Sequence, residues 1–223
     1  MARVIAIDGP SGAGKSSVSR IVGKKLGFLH VDSGALYRIM TWQALVRKVD
    51  TDNPDAVAAF VPTVVIECRP ENGAIAYYVG GEPPGERIRT PEINAHASQV
   101  ATVKQVRDKI TSLLRDMTRF GDLVVEGRDI TTAVFPDSPA RFYLTASAEA
   151  RAMRRQKEEV EKGIANQSAA AVKASLLARD AIDSTRKYAP LRKADGAIEI
   201  DSSDLTLEQV ADIVLEKIHE TFN

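Results

Sequence analysis

Cysteine is nearly absent: the 223 residues hold one, Cys68. That excludes an intrachain disulfide and fits a reducing compartment. Net charge is absent as well, with 30 Lys and Arg against 30 Asp and Glu. Broad nucleic-acid binding runs on phosphate neutralisation over a wide basic face, so it is not expected, and any basic function must be a local cluster. No stretch of bilayer-spanning length is free of charge, so no membrane partner is expected. Met1 runs almost at once into an apolar segment, leaving no room for a signal peptide, and the expected location is the cytoplasm. His30, His96 and His219 lack metal-ligand spacing. His30, in an apolar run, reads as a satisfied core residue, and Cys68 as a small buried hydrophobe.

What the chain does carry is Gly9-Pro10-Ser11-Gly12-Ala13-Gly14-Lys15-Ser16, followed by Ser17, directly behind the apolar run Val4-Ile5-Ala6-Ile7. A strand, a glycine-rich loop and a helix form the context in which G-x-x-x-x-G-K-[ST] cradles phosphate. Glycines let backbone N–H groups turn inward onto phosphate oxygens. The following helix points the positive end of its dipole at the same anion. Lys15 can reach the β- and γ-phosphates, and a hydroxyl of Ser16 or Ser17 can ligate Mg²⁺.

Elsewhere short apolar runs alternate with helical patterns, the mark of a parallel sheet covered by helices. Strands are expected at 4–8, 28–31, 123–125, 141–144 and 197–200. Helices are expected at 16–26, 34–46, 91–101, 104–119, 148–162, 169–184 and 207–221, the last opened by a Thr206/Gln209 capping box. With 44% hydrophobic residues, one compact domain can bury a sizeable core. One stretch, about 63–87, breaks the rhythm. Val64-Val65-Ile66-Glu67-Cys68 and Ala74-Ile75-Ala76-Tyr77-Tyr78-Val79 flank Asn72-Gly73, which reads as a hairpin inserted on the substrate side.

Phosphoryl transfer needs alignment and positive charge around the moving group, so the arginines matter next. Ser33 and Arg38 follow the second strand; Ser33 suits a helix cap as well as a ligand, and Arg38 a solvated face as well as a phosphate clamp. Glu126-Gly127-Arg128-Asp129 sits at a strand end, where Arg128 and Asp129 could fix a ligand or simply stabilise a loop. Arg179, Asp183 and Arg186 share a helical face, as a ligand clamp or a salt-bridge ladder. Arg151, Arg154, Arg155 and Lys157 open a charged helix ending near Gly163 that could close over a triphosphate or lie solvated.

Together these segments resemble the bacterial cytidylate kinase family, P-loop kinases of CMP. The likeness covers nearly the whole chain. It rests on the phosphate loop, Asp32-Ser33-Gly34-Ala35-Leu36-Tyr37-Arg38, Ile88-Arg89-Thr90, Ala97-Ser98-Gln99-Val100-Ala101, Val106-Arg107, Glu126-Gly127-Arg128-Asp129, Val134-Phe135-Pro136-Asp137, Arg179-Asp180-x-x-Asp183-x-x-Arg186 and Ala189-Pro190-Leu191. The resemblance implies an α/β P-loop kinase fold: a five-stranded parallel sheet covered by helices, an antiparallel β insertion in the NMP-binding domain, and a short helical lid. The core would be 1–36, 102–150 and 188–223, the NMP-binding region 37–101, and the lid and clamp helices 151–187. ATP would lie on residues 9–17 with Arg151 and Arg155. CMP or dCMP would lie on Ser33, Arg38, Ser98, Arg107, Arg128, Asp129, Arg179, Asp183 and Arg186. Of these, Arg38, Arg128 and Arg179 would hold the phosphate, Asp183 with Arg186 the ribose hydroxyls, and Ser98, Arg107 and Asp129 the cytosine. Catalysis would rest on Lys15, Arg128 and Arg179, with Mg²⁺ accompanying ATP, in a monomer. Three positions depart from the family pattern: Ile182 stands where arginine is frequent, Thr131 where glycine is common, and Ser16-Ser17 where some members have glycine then threonine. The rival readings are a kinase of UMP, shikimate or a coenzyme precursor, and an ATP sensor without transfer.

Overall fold

The fold is that of a computed structural model, which describes residues 2–161 and 168–222. The expected helix end at 162 and the turn near Gly163 lie outside the described residues. Strand β1 (Val4–Asp8) is buried along its whole length. Val4 and Ala6 join one hydrophobic core with Leu36, Met40, Ile110 and Val125. Ile5 and Ile7 join another with Val22, Phe142, Leu144 and Val214. The strand's period of two thus feeds both faces of the sheet, which is why β1 shows no polar residue before Asp8.

The remaining strands are β2 (Leu29–Asp32), β3 (Glu67–Glu71), β4 (Ala74–Tyr78), β5 (Leu123–Gly127), β6 (Ala140–Thr145) and β7 (Ile198–Asp201). They form one sheet in the order β3-β4-β2-β5-β1-β6-β7. The five strands from β2 to β7 along this order are parallel, as expected. The hairpin does not stand apart from them. His30 pairs in parallel with Ala74, so β4 and β3 extend the same sheet. Asn72 and Gly73, at φ 49° and 76°, make the tight turn. The outer strand begins at Glu67 rather than Val64, because Val64 and Ile66 are drawn into the core. It includes Pro70, opposite Ile75, a residue that only an edge strand accommodates.

The helices are α1 (Lys15–Leu26), α2 (Ser33–Val46), α3 (Pro54–Phe60), α4 (Pro91–Val100), α5 (Lys104–Asp116), α6 (Ala148–Glu161), α7 (Ala169–Thr185) and α8 (Leu207–Phe222). The sequence reading missed α3, too short to show a period; its start signals are the Asn53 cap and Pro54 in the first turn. The helix expected over 104–119 ends at Asp116 and tightens into a 3₁₀ turn, Met117–Phe120. The capping box opens α8 as expected, with Thr206 N–H donating to Gln209 Oε1 at 2.9 Å and Gln209 N–H to Thr206 Oγ1 at 3.2 Å. Ser33 does not cap α2. Asp32 does, accepting from the Ala35 N–H at 3.1 Å, and the Ser33 hydroxyl donates instead to the Glu126 backbone carbonyl at 2.6 Å. His30 is buried but not satisfied: among the described residues its Nε2 has no partner. Cys68 is only half-buried. No helix among the described residues is long and apolar enough to cross a membrane.

Register brings the functional ends together. Asp8 lies beside Gly127, and Asp32 beside Glu126, so the carboxyl ends of β1, β2 and β5 open side by side, where parallel sheets place ligands. The loop after β1 is tight against β6. Gly9 sits at φ 147°, and a Cβ there would stand 1.9 Å from the Leu144 carbonyl oxygen. Gly9→Ala should therefore cost about 2–4 kcal/mol. Urea unfolding checks this; a variant as stable as the parent would show that the loop is not held on β6.

Candidate active site

The loop turns at Gly9, Gly12 and Gly14, all with positive φ. Lys15 opens α1 and is 5% exposed. Its Nζ donates to the Pro10 carbonyl at 2.8 Å. Burial, and then the charge of Arg128, pushes its pKa down to about 7, against the pull of Glu126, Asp8 and Asp180. The Ser16 hydroxyl donates to the Glu126 carboxylate, while Ser17 is exposed. Burial and neighbouring Asp32 raise the pKa of Glu126; Lys15 and Ser16 oppose them.

Arg151 is not a solvent-facing lid residue. It is buried against the loop, donating to the Ser11 and Ala146 carbonyls, each at 3.1 Å, and to the Asp180 carboxylate. Asp180 also accepts the Ser11 N–H at 3.3 Å. Arg155, farther along α6, pairs with Glu158 at 3.2 Å and lies within the electrostatic reach of Arg38 and Arg179.

The acceptor arginines converge from three elements. Arg128, just past β5, donates to Asp183 of α7 at 3.2 Å. Arg179, on α7, has a buried Nε without a hydrogen-bond partner among the described residues. Burial, then Arg128, lowers its pKa to about 10. Arg38, on α2, donates to the Asn94 side chain of α4. Burial, then Arg179, lowers it likewise to about 10, and Arg89 adds to the repulsion. Lys15, Arg128, Arg179 and Arg38 thus form a run in which each cation feels the next. At about 10, Arg38 and Arg179 remain charged near neutrality, so their closeness is unfavourable and an anion between them would relieve it.

Beyond Arg128 lies a buried ion-pair chain. α5 buries Val106, Ile110 and Leu114 at helical spacing, and Arg107 with them. Arg107 donates to the Ala101 carbonyl at 3.0 Å and to the Asp129 carboxylate. The two side chains are 5% and 4% exposed. The Arg107 guanidinium lies 5.3 Å from the centroid of the Tyr37 ring. Arg186 reaches Asp129 at 3.8 Å and Asp183 at 3.3 Å. Ser98 is buried on α4. Ile182 is exposed.

Sequence reasoning gave no role to Asp8, Asn94 or Asp180, and did not foresee the bond between Glu126 and Ser16. Glu126 and Asp180 each lie within a cluster that the sequence singles out, without a role of their own; Asn94 carried no signal. Among the described residues no group of three or more His, Cys, Asp or Glu side chains could hold a metal. The Ser16 hydroxyl and the Glu126 carboxylate, which meet beside the loop, are hard oxygen donors that suit a cation carried in with phosphate oxygens.

The sequence profile described as "Cytidylate kinase" matches residues 5–220. The chain belongs to the cytidylate kinase family. The cytidylate kinase of Streptomyces griseus is 44% identical over 214 residues, spanning 95% of this chain and 90% of that one. The cytidylate kinase of Bacillus cereus is 37% identical over 218 residues, spanning 98% and 96%. A crystal structure of an uncharacterized protein from Eubacterium ventriosum matches with a TM-score of 0.54 at 10% identity, over 97% of this chain and 98% of that one; this likeness is of fold alone. The α/β kinase fold expected for the cytidylate kinase family is the fold observed, with the sheet widened to seven strands.

Relief of the like-charge run gives a test. Arg179→Met keeps apolar bulk but removes one cation. It should leave the ligand-free melting temperature unchanged or raise it by about 2–4 °C. It should also remove most of the stabilisation that added pyrophosphate gives the parent. Melting with and without pyrophosphate decides this, and an undiminished gain in the variant would place the anion elsewhere.

Proposed function

We propose that the protein transfers the γ-phosphoryl group of ATP to CMP, and to dCMP, releasing ADP and CDP or dCDP. The observation that carries this reading is the run of cations from Lys15 through Arg128 and Arg179 to Arg38, with Arg128 joined through Asp183 and Arg186 to the buried Arg107–Asp129 pair. A protein that bound ATP alone would have no use for the far half of that run.

The acceptor phosphate oxygen is a nucleophile at neutral pH, so no general base is required. The work of the side chains is alignment and charge neutralisation. Loop amides and Lys15 hold the donor. For this, Lys15 exchanges the Pro10 carbonyl, and the Ser11 N–H exchanges Asp180, for phosphate oxygens. Arg38, Arg128 and Arg179 hold the acceptor phosphate, where planar guanidinium forks match its oxygens. Asp183, with Arg186, takes the ribose hydroxyls. Asp129 can only accept, which suits the cytosine N4 amino group, and Arg107 can only donate, which suits N3 and O2; Ser98 completes that set. Arg155 excludes water over the phosphates, and Arg151 steadies the loop. Of the two serines, Ser16 is the Mg²⁺ ligand in this reading, because its hydroxyl already meets Glu126 while Ser17 is exposed. Magnesium bound with ATP would neutralise charge on the β- and γ-phosphate oxygens. In this reading residues 37–101 form the NMP-binding region, and the lid and clamp helices of 151–187 stand on the core formed by 1–36, 102–150 and 188–223. With zero net charge and only small nucleotides as partners, the enzyme acts as a cytoplasmic monomer.

ADP release from Mg-ATP with a panel of CMP, dCMP, UMP and shikimate tests the proposal. Release with CMP and dCMP is expected. Release with shikimate or UMP alone, or with no acceptor at all, overturns it. Lys15→Met should lower turnover by about 10²–10³-fold while the fold persists, since its charge acts on the transferring group. The pKa of Lys15 gives a sign for pH dependence. Near pH 8 the ligand-free lysine, at about 7, is mostly neutral, and phosphate favours its charged form. ATP binding should therefore take up protons near pH 8, and affinity should fall as pH rises above 7. Calorimetry in buffers of different ionisation enthalpy measures the uptake; uptake that persists in Lys15→Met would assign the proton to another group.

A further inference from the structure

Asp8 ends β1, one residue before the phosphate loop, and is fully buried. Its Oδ1 accepts the Ile130 N–H at 2.8 Å. Its Oδ2 accepts the Thr131 N–H at 2.7 Å and the Thr131 hydroxyl at 2.6 Å. All three donors belong to a π-helical turn, Ile130–Val134, that opens directly behind Arg128-Asp129. Such turns are uncommon and favour functional sites. The Asp129 carbonyl accepts from the Ala133 and Val134 N–H groups at 2.9 and 3.2 Å, so the turn fixes the backbone from which the Asp129 side chain projects. On the other flank, a Cβ at Gly127 would stand 2.7 Å from Ile130 Cγ1 and 2.6 Å from Ser33 Oγ. The turn is thus closely packed on β5 and bonded to β1. Thr131 stands where glycine is common in the resemblance described above. Glycine would keep the amide donor and lose the hydroxyl.

We propose that Asp8 and Thr131 are positioning residues for recognition of the acceptor base. By fixing the turn behind Asp129, they set the angle at which the Asp129–Arg107 pair meets the base, and they tie it to the strand that carries the phosphate loop. The inference rests on the reading of Asp129 as a base contact. Burial raises the Asp8 pKa to about 6, with the charge of Asp129 adding to it, while the Thr131 and Ile130 donors hold it down. The three hydrogen bonds therefore carry the charged form near neutral pH.

The test compares Thr131→Val, Thr131→Ser, Asp8→Asn and Asp129→Asn, with kcat and KM measured for CMP, UMP and ATP. Thr131→Val keeps shape and loses the hydroxyl. It should lower the CMP-to-UMP ratio of kcat/KM by about three- to tenfold, mainly through KM for CMP, with KM for ATP within about twofold of the parent. Thr131→Ser should keep the parent ratio. Asp8→Asn turns an amide N–H toward the Thr131 donors and should lower the ratio further; if it does not fold, the Thr131 pair decides alone. If Asp129→Asn narrows the ratio and Thr131→Val does not, the inference falls while the base reading stands. If Asp129→Asn leaves the ratio unchanged, the base reading falls and takes the inference with it. Equal losses for valine and serine, or equal losses on both nucleotides with a lowered melting temperature, mean a purely structural contact and overturn the proposal.

Discussion

Lys15, Arg128, Arg179 and Arg38 stand in a row: the charge of Arg128 lowers the pKa of Lys15 and of Arg179, and Arg179 lowers that of Arg38. Carboxylates offset part of this repulsion: Asp183 and Asp180 for Arg179, Glu126 for Lys15 and Asp32 for Arg38, while Asp183 also accepts from Arg128. The elements that hold these groups are the elements of the fold. The register of β1, β2 and β5 fixes Lys15 and Arg128, α2 fixes Arg38, and α7 fixes Arg179. In the proposed reading these cations are preorganised for anions, and binding would relieve their mutual repulsion.

The proposed donor and acceptor sites share this frame. Asp8 leads into the phosphate loop and holds the turn behind Asp129. Asp180 touches Ser11 of the loop and Arg151 of α6, while Asp183, one turn on, touches Arg128 and Arg186. One helix, α7, therefore contacts both the phosphate loop and Arg128 through carboxylates on successive turns.

Features set by local chemistry could be read in advance. The glycines of the loop, the Asn72-Gly73 turn and the capping box of α8 each depend on a few adjacent residues, and each matched. Features set by distant packing could not. The bond between Asp8 and Thr131 spans 123 positions. The start of β3 moved because Val64 and Ile66 found core neighbours, and Ser33 lost its capping role because Asp32 took it. Arg151 and Arg155 look alike in a charged helix, yet only the fold turns one under the loop. The α3 helix was legible only through Asn53 and Pro54, because seven residues give no period to count.

The hairpin that widens the sheet also closes it. Its outer strand presents Glu67, Arg69, Pro70 and Glu71, all exposed, and Pro70 offers no N–H to a further strand. At the opposite edge β7 is four residues long, with Glu199 and Asp201 turned outward. A second molecule approaching either margin would meet charge, a missing donor, or too little length to pair. The protein can hold a wide, mostly parallel sheet at high concentration without offering it as a template for fibres.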